Sequence, residues 1–261
     1  MPELWNPAEF HHFKVVQTHQ LSPDTMRVTF APPSPGFAPF MSATCYFYAS
    51  TPDHAVMRPY SPVSTMYETD HVELVVKRYP EGKMSSFIHN LKAGDTIEMK
   101  GPLPKMLQYK TNMKKKIGLI AGGSGITPIV QILKAALNPP EEKDTTEFVL
   151  LYANKTEDDI LCKNILDQLV TDYCGRLTVK YFVSKPKNPR TWQGKTGFID
   201  KAVIAEYMPK PSSDILISIC GPPAMMESIS GHKDPKDYTK QGALTGCLKE
   251  LGYTEDMVFK F

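Results

Sequence analysis

The sequence predicts a β plus α/β protein, an N-terminal antiparallel β-barrel followed by a doubly wound parallel sheet. Three observations carry this. Over residues 1–115, short β-branched or aromatic runs alternate with turn residues. From residue 117 onward, apolar strand candidates alternate with amphipathic helical segments. A Lys-rich stretch, Asn112–Lys116, separates the two styles. The 261 residues suit two domains of about 100–200 residues each, placed at 1–112 and 113–261.

In the first domain the expected strands are Lys14–His19, Thr25–Phe30, Thr44–Ala49, Val72–Tyr79 and Thr96–Lys100. Three prolines in Ala31–Gly36 fix φ and remove donors, which makes that segment a loop. Many short strands at this spacing suit an antiparallel barrel. Phe87, Ile88 and Leu91 give helical spacing near Ser85–Leu91. In the second domain the expected strands are Ile117–Ala121, Glu147–Ala153, Leu177–Val183, Asp214–Cys220 and Met257–Lys260. Ile126, Ile129, Val130, Leu133 and Leu137 share one helix face. Leu161, Ile165, Leu169 and Val170 extend the pattern to a helix over Asp158–Tyr173.

Composition excludes several classes. Basic and acidic residues number 12 and 10 in residues 1–115, and 18 and 18 in residues 116–261, so no nucleic-acid partner is expected. No apolar run approaches the ~20 residues of a membrane span. Met1–Pro7 has neither a basic leader nor an apolar core, so no signal peptide is expected, although an N-terminal anchor could have been removed. The five cysteines form no CxxC or CxxxxC, so no metal or iron–sulfur site is expected. Their odd number fits a reducing compartment, cytosol or mitochondrion. Lys105, Lys110, Lys114, Lys115 and Lys116 lie within 105–116 with no acid among them. They suit either a solvated linker or a docking patch for an acidic partner.

Four loops carry the chemistry. Ala121-Gly122-Gly123-Ser124-Gly125-Ile126-Thr127-Pro128 follows a strand and opens a helix. Glycines let backbone approach a ligand, Thr127 is placed to cap the helix, and the free N–H groups there favour a phosphate. The pattern is neither a Walker loop nor GxGxxG, because Pro128 takes the third glycine position and no acid ends the next strand (Leu151–Lys155). Arg58-Pro59-Tyr60-Ser61-Pro62 combines a phosphate-gripping guanidinium, a flat phenol and a hydroxyl. Alone it equally fits a β-edge turn. Gly82-Lys83-Met84-Ser85-Ser86 opens a second helix at an end suited to phosphate, though taken alone a plain N-cap explains it better. Cys220-Gly221-Pro222-Pro223 ends a buried strand at the edge where parallel sheets bind ligands, though a cysteine there also suits a core.

In this order the four loops resemble the ferredoxin–NADP reductase superfamily, and most closely its NADH–cytochrome b5 reductase family. Val75-Val76-Lys77-Arg78-Tyr79, Gly101-Pro102, Tyr152–Leu161 and Val258-Phe259-Lys260-Phe261 support the likeness. Asn6–Phe10 and Leu251-Gly252-Tyr253 are similar to fungal mitochondrial members. The resemblance implies a six-stranded antiparallel flavin-binding barrel and a nucleotide-binding sheet. It implies a flavoprotein oxidoreductase that passes hydride from NADH to FAD and then single electrons to cytochrome b5.

Carried over by motif, Arg58 and Pro59 would hold the FAD pyrophosphate, Tyr60 would pack along the isoalloxazine and Ser61 would lie near its N5. Val75, Lys77 and Tyr79 would line the flavin; Gly82, Lys83, Met84 and Ser85 would hold the rest of the FAD, with Thr127 reaching it. Gly122, Gly123 and Gly125 would approach the NADH diphosphate, and Cys220, Gly221, Pro222 and Phe261 would flank the nicotinamide. Tyr60, Ser61, Lys77 and Cys220 are the residues expected nearest the transfer itself. Ser124 stands where many relatives have threonine. Asp159 matches an acid kept by relatives that prefer NADH, since a carboxylate attracts a ribose hydroxyl and repels a 2′-phosphate. Lys83 and the Lys105–Lys116 cluster would dock an acidic cytochrome b5. A ferredoxin, a nitrate reductase centre or a quinone as acceptor, or a non-catalytic nucleotide-binding module, are the alternatives.

Overall fold

The computed structural model describes residues 5–34, 37, 41–68, 70–104, 107–138 and 143–261. The chain divides into two compact units, Met1–Tyr109 with Val130–Pro139, and Lys110–Ile129 with Pro140–Phe261.

The first unit holds β1 (His11–Ser22), β2 (Thr25–Phe30), β3 (Cys45–Ser50), β4 (Met57–Tyr60), β5 (Val72–Lys77), a short helix α1 (Lys83–His89) and β6 (Thr96–Pro104). The strands form one six-stranded antiparallel sheet in the order β4-β3-β6-β1-β2-β5. Beyond the last rung of the β4 edge, Val63 N–H donates to the Glu73 carbonyl of β5 at 2.8 Å, and Glu73 N–H donates to Ser64 Oγ at 3.0 Å. These two bonds join the free edges into a barrel, which removes the exposed edges of an open sheet. Period-two alternation fills the interior. Phe13 and Val15, Val28 and Phe30, Phe47 and Ala49, Leu74 and Val76, and Ile97 and Met99 are buried. Phe13 meets Phe30, Phe37 and Phe47 edge to face at 5.6–6.5 Å.

The second unit holds β7 (Lys116–Gly122), β8 (Glu147–Asn154), β9 (Leu177–Val183), β10 (Lys195–Thr196), β11 (Ile215–Cys220) and β12 (Val258–Lys260). All pair in parallel, in the order β10-β9-β8-β7-β11-β12. Helix α2 (Ile126–Leu137) follows β7 and α3 (Lys163–Asp172) follows β8. After β10 come α4 (Lys201–Tyr207), α5 (Pro223–Ile229) and α6 (Gly246–Glu250). Six consecutive buried residues in β7 reflect a strand covered on both faces. From β7 the chain builds outward to β10, then returns to place β11 on the other side of β7. The topological switch point therefore lies between the C-terminal ends of β7 and β11, where open parallel sheets hold ligands.

Three local expectations change. The helix expected over Asp158–Tyr173 is broken: a single 3-10 turn, Glu157–Asp159, precedes α3, and Cys162 takes a left-handed φ of +57°. Asp159 Oδ2 accepts from Thr156 N–H and Oγ1–H at 2.9 and 2.7 Å, which closes that turn before the helix can propagate. Thr127 does not cap α2, because its hydroxyl donates to the Ser124 carbonyl at 3.3 Å from within the first turn. β5 ends at Lys77, two residues short of Tyr79, where the Arg78 N–H turns to the Asp24 carbonyl.

A buried lysine fastens the C-terminal end of the second sheet. Lys260 is 1% exposed, and its ammonium donates to the carbonyls of His232, Gly242 and Ala243 at 3.1, 3.3 and 2.9 Å. Gln241 adds a reciprocal pair to the Lys260 backbone at 2.6 and 3.2 Å. Burial pulls this ammonium below the usual lysine range, with Glu255 opposing. Lys260→Met leaves three carbonyls without their donor. The expected loss is about 2–3 kcal/mol, read as a fall in Tm of about 5–10 °C by calorimetry.

Candidate functional site

On the barrel, Arg58-Pro59-Tyr60 forms β4 itself, an edge strand where proline costs no ladder bond. Arg58 is exposed; its Nη1 donates to the Met57 carbonyl at 2.8 Å, and among the described residues no carboxylate pairs with it. Tyr60 packs half-buried on the barrel core. Burial pushes its phenol up to about 12, with Arg58 opposing and Tyr79 adding, so the ring stays neutral at working pH. Ser61 follows it, half-buried, as the chain leaves the strand. On β5, Val75 is buried and Lys77 is held by Asp24, Nζ to Oδ2 3.0 Å. Burial acts to raise the Asp24 carboxyl, but Lys77, Ser22 and Thr25 together hold it below the usual range. The Lys77 ammonium is thus committed within the barrel.

The loop before α1 is organised from within. Ser85 Oγ donates to the Gly82 carbonyl at 3.0 Å and accepts from Tyr79 N–H at 3.2 Å, while Met84 lies in the core at 2% exposure. These two side chains therefore shape the loop. What it presents outward is Lys83, exposed and unpaired by any described carboxylate, and a helix start that no side chain caps. A guanidinium, an ammonium and open backbone N–H groups on one unit fit an anionic dinucleotide.

In the second unit, Ala121 of β7 pairs with Cys220 of β11, so the glycine loop and the Cys220–Pro222 loop leave the sheet side by side. A Cβ on Gly125 would stand 2.3 Å from the Cys220 carbonyl oxygen, and one on Gly122 would stand 2.5 Å from Met225 Sδ and 2.7 Å from Pro222 Cδ. These two glycines are required by the loops' contact with each other. Gly123 differs: its φ is +52°, and a Cβ there would meet nothing within 4 Å. Open space over a left-handed glycine is what a close-approaching diphosphate needs. Cys220 is half-buried, and Phe261 N–H donates to the Ile219 carbonyl at 3.0 Å, which brings the C-terminal ring to the same end of β11.

Sequence reasoning passed over two neighbours of these loops. Lys233 lies over the Phe259 ring at 5.7 Å, with an ammonium lowered by burial and Cys220 opposing. Tyr152, fully buried in β8, donates its hydroxyl to the Gly123 carbonyl at 3.0 Å. A tyrosine in a run of buried strand residues is the available signal, because a buried phenol needs a polar partner. Of the lysine cluster, Lys116 pairs with Glu147 at 2.8 Å and Lys114 donates to the Ser213 carbonyl at 2.6 Å. Lys110 and Lys115 are exposed, and Lys105 lies outside the described residues.

Comparison with known proteins agrees with this division. Residues 12–109 match the model of the oxidoreductase FAD-binding domain, and residues 119–231 that of the oxidoreductase NAD-binding domain. A NADH-cytochrome b5 reductase-like protein of Arabidopsis thaliana is 43% identical over 98% of this chain and 78% of its own length. NADH-cytochrome b5 reductase 2-A of the yeast Vanderwaltozyma polyspora is 41% identical over 95% of this chain and 82% of its own. Among solved structures, the cytochrome b5 reductase domain of Ulva prolifera nitrate reductase superposes with a TM-score of 0.82 at 27% identity, covering all of both chains.

The glycine geometry separates two variants. Gly125→Ala drives a methyl into the Cys220 carbonyl and is expected to cost more than about 3 kcal/mol, as overpacking against backbone that cannot yield. Gly123→Ala meets only the left-handed backbone penalty, about 1–2 kcal/mol. Thermal denaturation of the two proteins should rank them in that order.

Proposed function

From the premise that this chain belongs to the NADH–cytochrome b5 reductase family and is an NADH-dependent FAD oxidoreductase, we propose that its electron acceptor is cytochrome b5. The observation that carries this reading is the likeness, over nearly the whole chain, to reductases named for that acceptor. Bound FAD supplies a centre that accepts a two-electron hydride and releases electrons singly. Residues 1–112 hold that group and residues 113–261 hold NADH.

Each residue's part follows from its surroundings. Arg58 and Lys83, both without a carboxylate partner among the described residues, take the FAD diphosphate together with the uncapped start of α1. Tyr60 offers a neutral ring face and Ser61 a hydroxyl toward the flavin ring. Val75 and Tyr79 line it, Pro59 and Gly82 shape the approach, and Met84 and Ser85 act by fixing the loop. Lys77 contributes its stem and backbone, since Asp24 holds its charge. Thr127 orders the Ser124 carbonyl. The Gly123 space takes the NADH diphosphate, with Gly122 and Gly125 letting the loops close on each other. Cys220, Gly221, Pro222 and Phe261 border the nicotinamide at the end of β11. None of these residues moves a proton, because hydride transfer asks the chain for orientation and exclusion of water.

Docking of an acidic haem protein falls to Lys83, Lys110 and Lys115, the members of the basic set that are exposed and have no carboxylate partner among the described residues. No helix among the described residues is long and apolar enough to cross a membrane. The five cysteines, none of them in a disulfide, suit a reducing compartment, mitochondrial or cytosolic.

Two measurements test this reading. NADH-driven reduction of cytochrome b5 in a stopped-flow instrument should outpace reduction of a ferredoxin or a quinone, and should slow as ionic strength rises from 10 to 200 mM. Lys110→Glu, at an exposed position with no part in holding FAD or NADH, should slow it about threefold or more at low salt and hardly at all at high salt. A rate with cytochrome b5 that is level or rising with salt would sink the docking assignment. For the pyridine nucleotide, kcat/KM with NADH should exceed that with NADPH by at least about tenfold, roughly 1.4 kcal/mol. Asp159→Asn keeps an acceptor for Thr156 but removes the charge, and it should narrow that ratio.

A further inference from the structure

The phenol of Tyr152 bridges the loops that follow two neighbouring strands, β7 and β8. Its hydroxyl donates to the Gly123 carbonyl at 3.0 Å and accepts from Leu161 N–H at 3.1 Å. The ring has no exposed surface. One bond reaches the glycine loop after β7; the other reaches the segment two residues beyond Asp159, just before the left-handed Cys162. The side-chain amide of Asn154, at the end of the same strand, lies beside the phenol, with both polar ends shielded from water.

The geometry has a directional consequence. In a planar trans peptide the carbonyl and the following N–H point opposite ways. With the Gly123 carbonyl drawn to the buried hydroxyl and to the Ile126 N–H of its own 3-10 turn, the Ser124 N–H of the same peptide points the opposite way, away from Tyr152. At its other end the hydroxyl holds Leu161, and through the short turn of Thr156–Asp159 it limits where the Asp159 carboxylate can stand. One oxygen therefore sets the separation between an anion-facing amide and a hydroxyl-facing carboxylate.

We propose that Tyr152 is a positioning residue for nucleotide selectivity: its hydroxyl locks the glycine loop and the acid turn into one unit, matched to the spacing of diphosphate and 2′-hydroxyl in NADH. The inference rests on the assignment of Gly123 and Asp159 to the NADH site. Without the hydroxyl each loop keeps its residues but loses its register to the other. Binding of NADH weakens, and the carboxylate discriminates less against a 2′-phosphate. Chemistry at saturating NADH is little changed, because the loops act on binding and not on the transfer.

Tyr152→Phe, made in the FAD-loaded enzyme, is the test. The expected result is KM for NADH raised about five- to tenfold with kcat within about twofold. By calorimetry, ADP-ribose should bind more weakly, and its advantage over 2′-phospho-ADP-ribose should fall about fivefold. A role confined to stability would lower Tm and leave that ratio of affinities where it is, which would overturn the proposal. Asp159→Asn is run beside it. If Asp159→Asn changes the ratio and Tyr152→Phe does not, the clamp is wrong and the NADH site stands; if neither changes it, the site assignment itself is wrong. Should Tyr152→Phe not fold, amide exchange of the unaltered holoenzyme decides. ADP-ribose should protect the Ser124 and Leu161 amides together, and protection of Ser124 alone would overturn the coupling.

Discussion

The C-terminal ends of β7 and β11 run so close together that a side chain on Gly125 would begin 2.3 Å from the Cys220 carbonyl oxygen. Much of the second unit follows from that approach. The two strands pair in register from Lys116–Ile215 to Ala121–Cys220, with both faces covered, and the chain turns back at β7. The loops leaving both strands must then share one small volume. Gly122, Gly125 and Gly221 make this possible by presenting backbone to each other. The ligand-facing task is left to Gly123, where the backbone is left-handed and the space is open. Packing and binding are thus divided among glycines that look alike in the sequence.

A few buried polar side chains hold the segments around this contact. Lys260 spends an ammonium on three carbonyls of the segment that brings Lys233 to Cys220. Tyr152 spends one hydroxyl on two loops. In the first unit Gln131, 1% exposed, accepts from Cys45 N–H, and Lys134 meets both oxygens of Glu68. Such bonds add little net stability compared with apolar burial. Each is costly to break, because the partner left behind is buried and unpaired. They therefore fix which arrangement of the loops is adopted, where apolar packing alone would tolerate several.

The two anion-suited surfaces are built differently. On the barrel, charge is supplied by Arg58 and Lys83, side chains that no described carboxylate pairs, while Lys77, the third cation in the neighbouring motifs, is neutralised by Asp24. On the sheet, the means are backbone: an open glycine, a 3-10 turn and the start of α2. Asp159 combines both, since the same carboxylate oxygen that closes the Thr156 turn belongs to the acid expected to face a ribose.

Periodicity and turn chemistry were legible in the residues because they act over a few positions. β-Branched and aromatic runs between turn residues marked five barrel strands, largely apolar runs marked the main parallel strands, and the order of the four loops carried the family. What acts at a distance was hidden. The helix face running through Leu161 and Ile165 concealed a break, since the bond that holds Leu161 N–H comes from Tyr152, nine residues earlier and on a different element. Thr127 reads as a cap, but the carbonyl it serves is set by the preceding 3-10 turn. Whether Lys77 is free depends on Asp24, brought beside it when β2 pairs with β5. Which glycine faces a ligand and which faces another loop depends on strand order. Strand order is decided only when both faces of the sheet are buried, and no local pattern contains it.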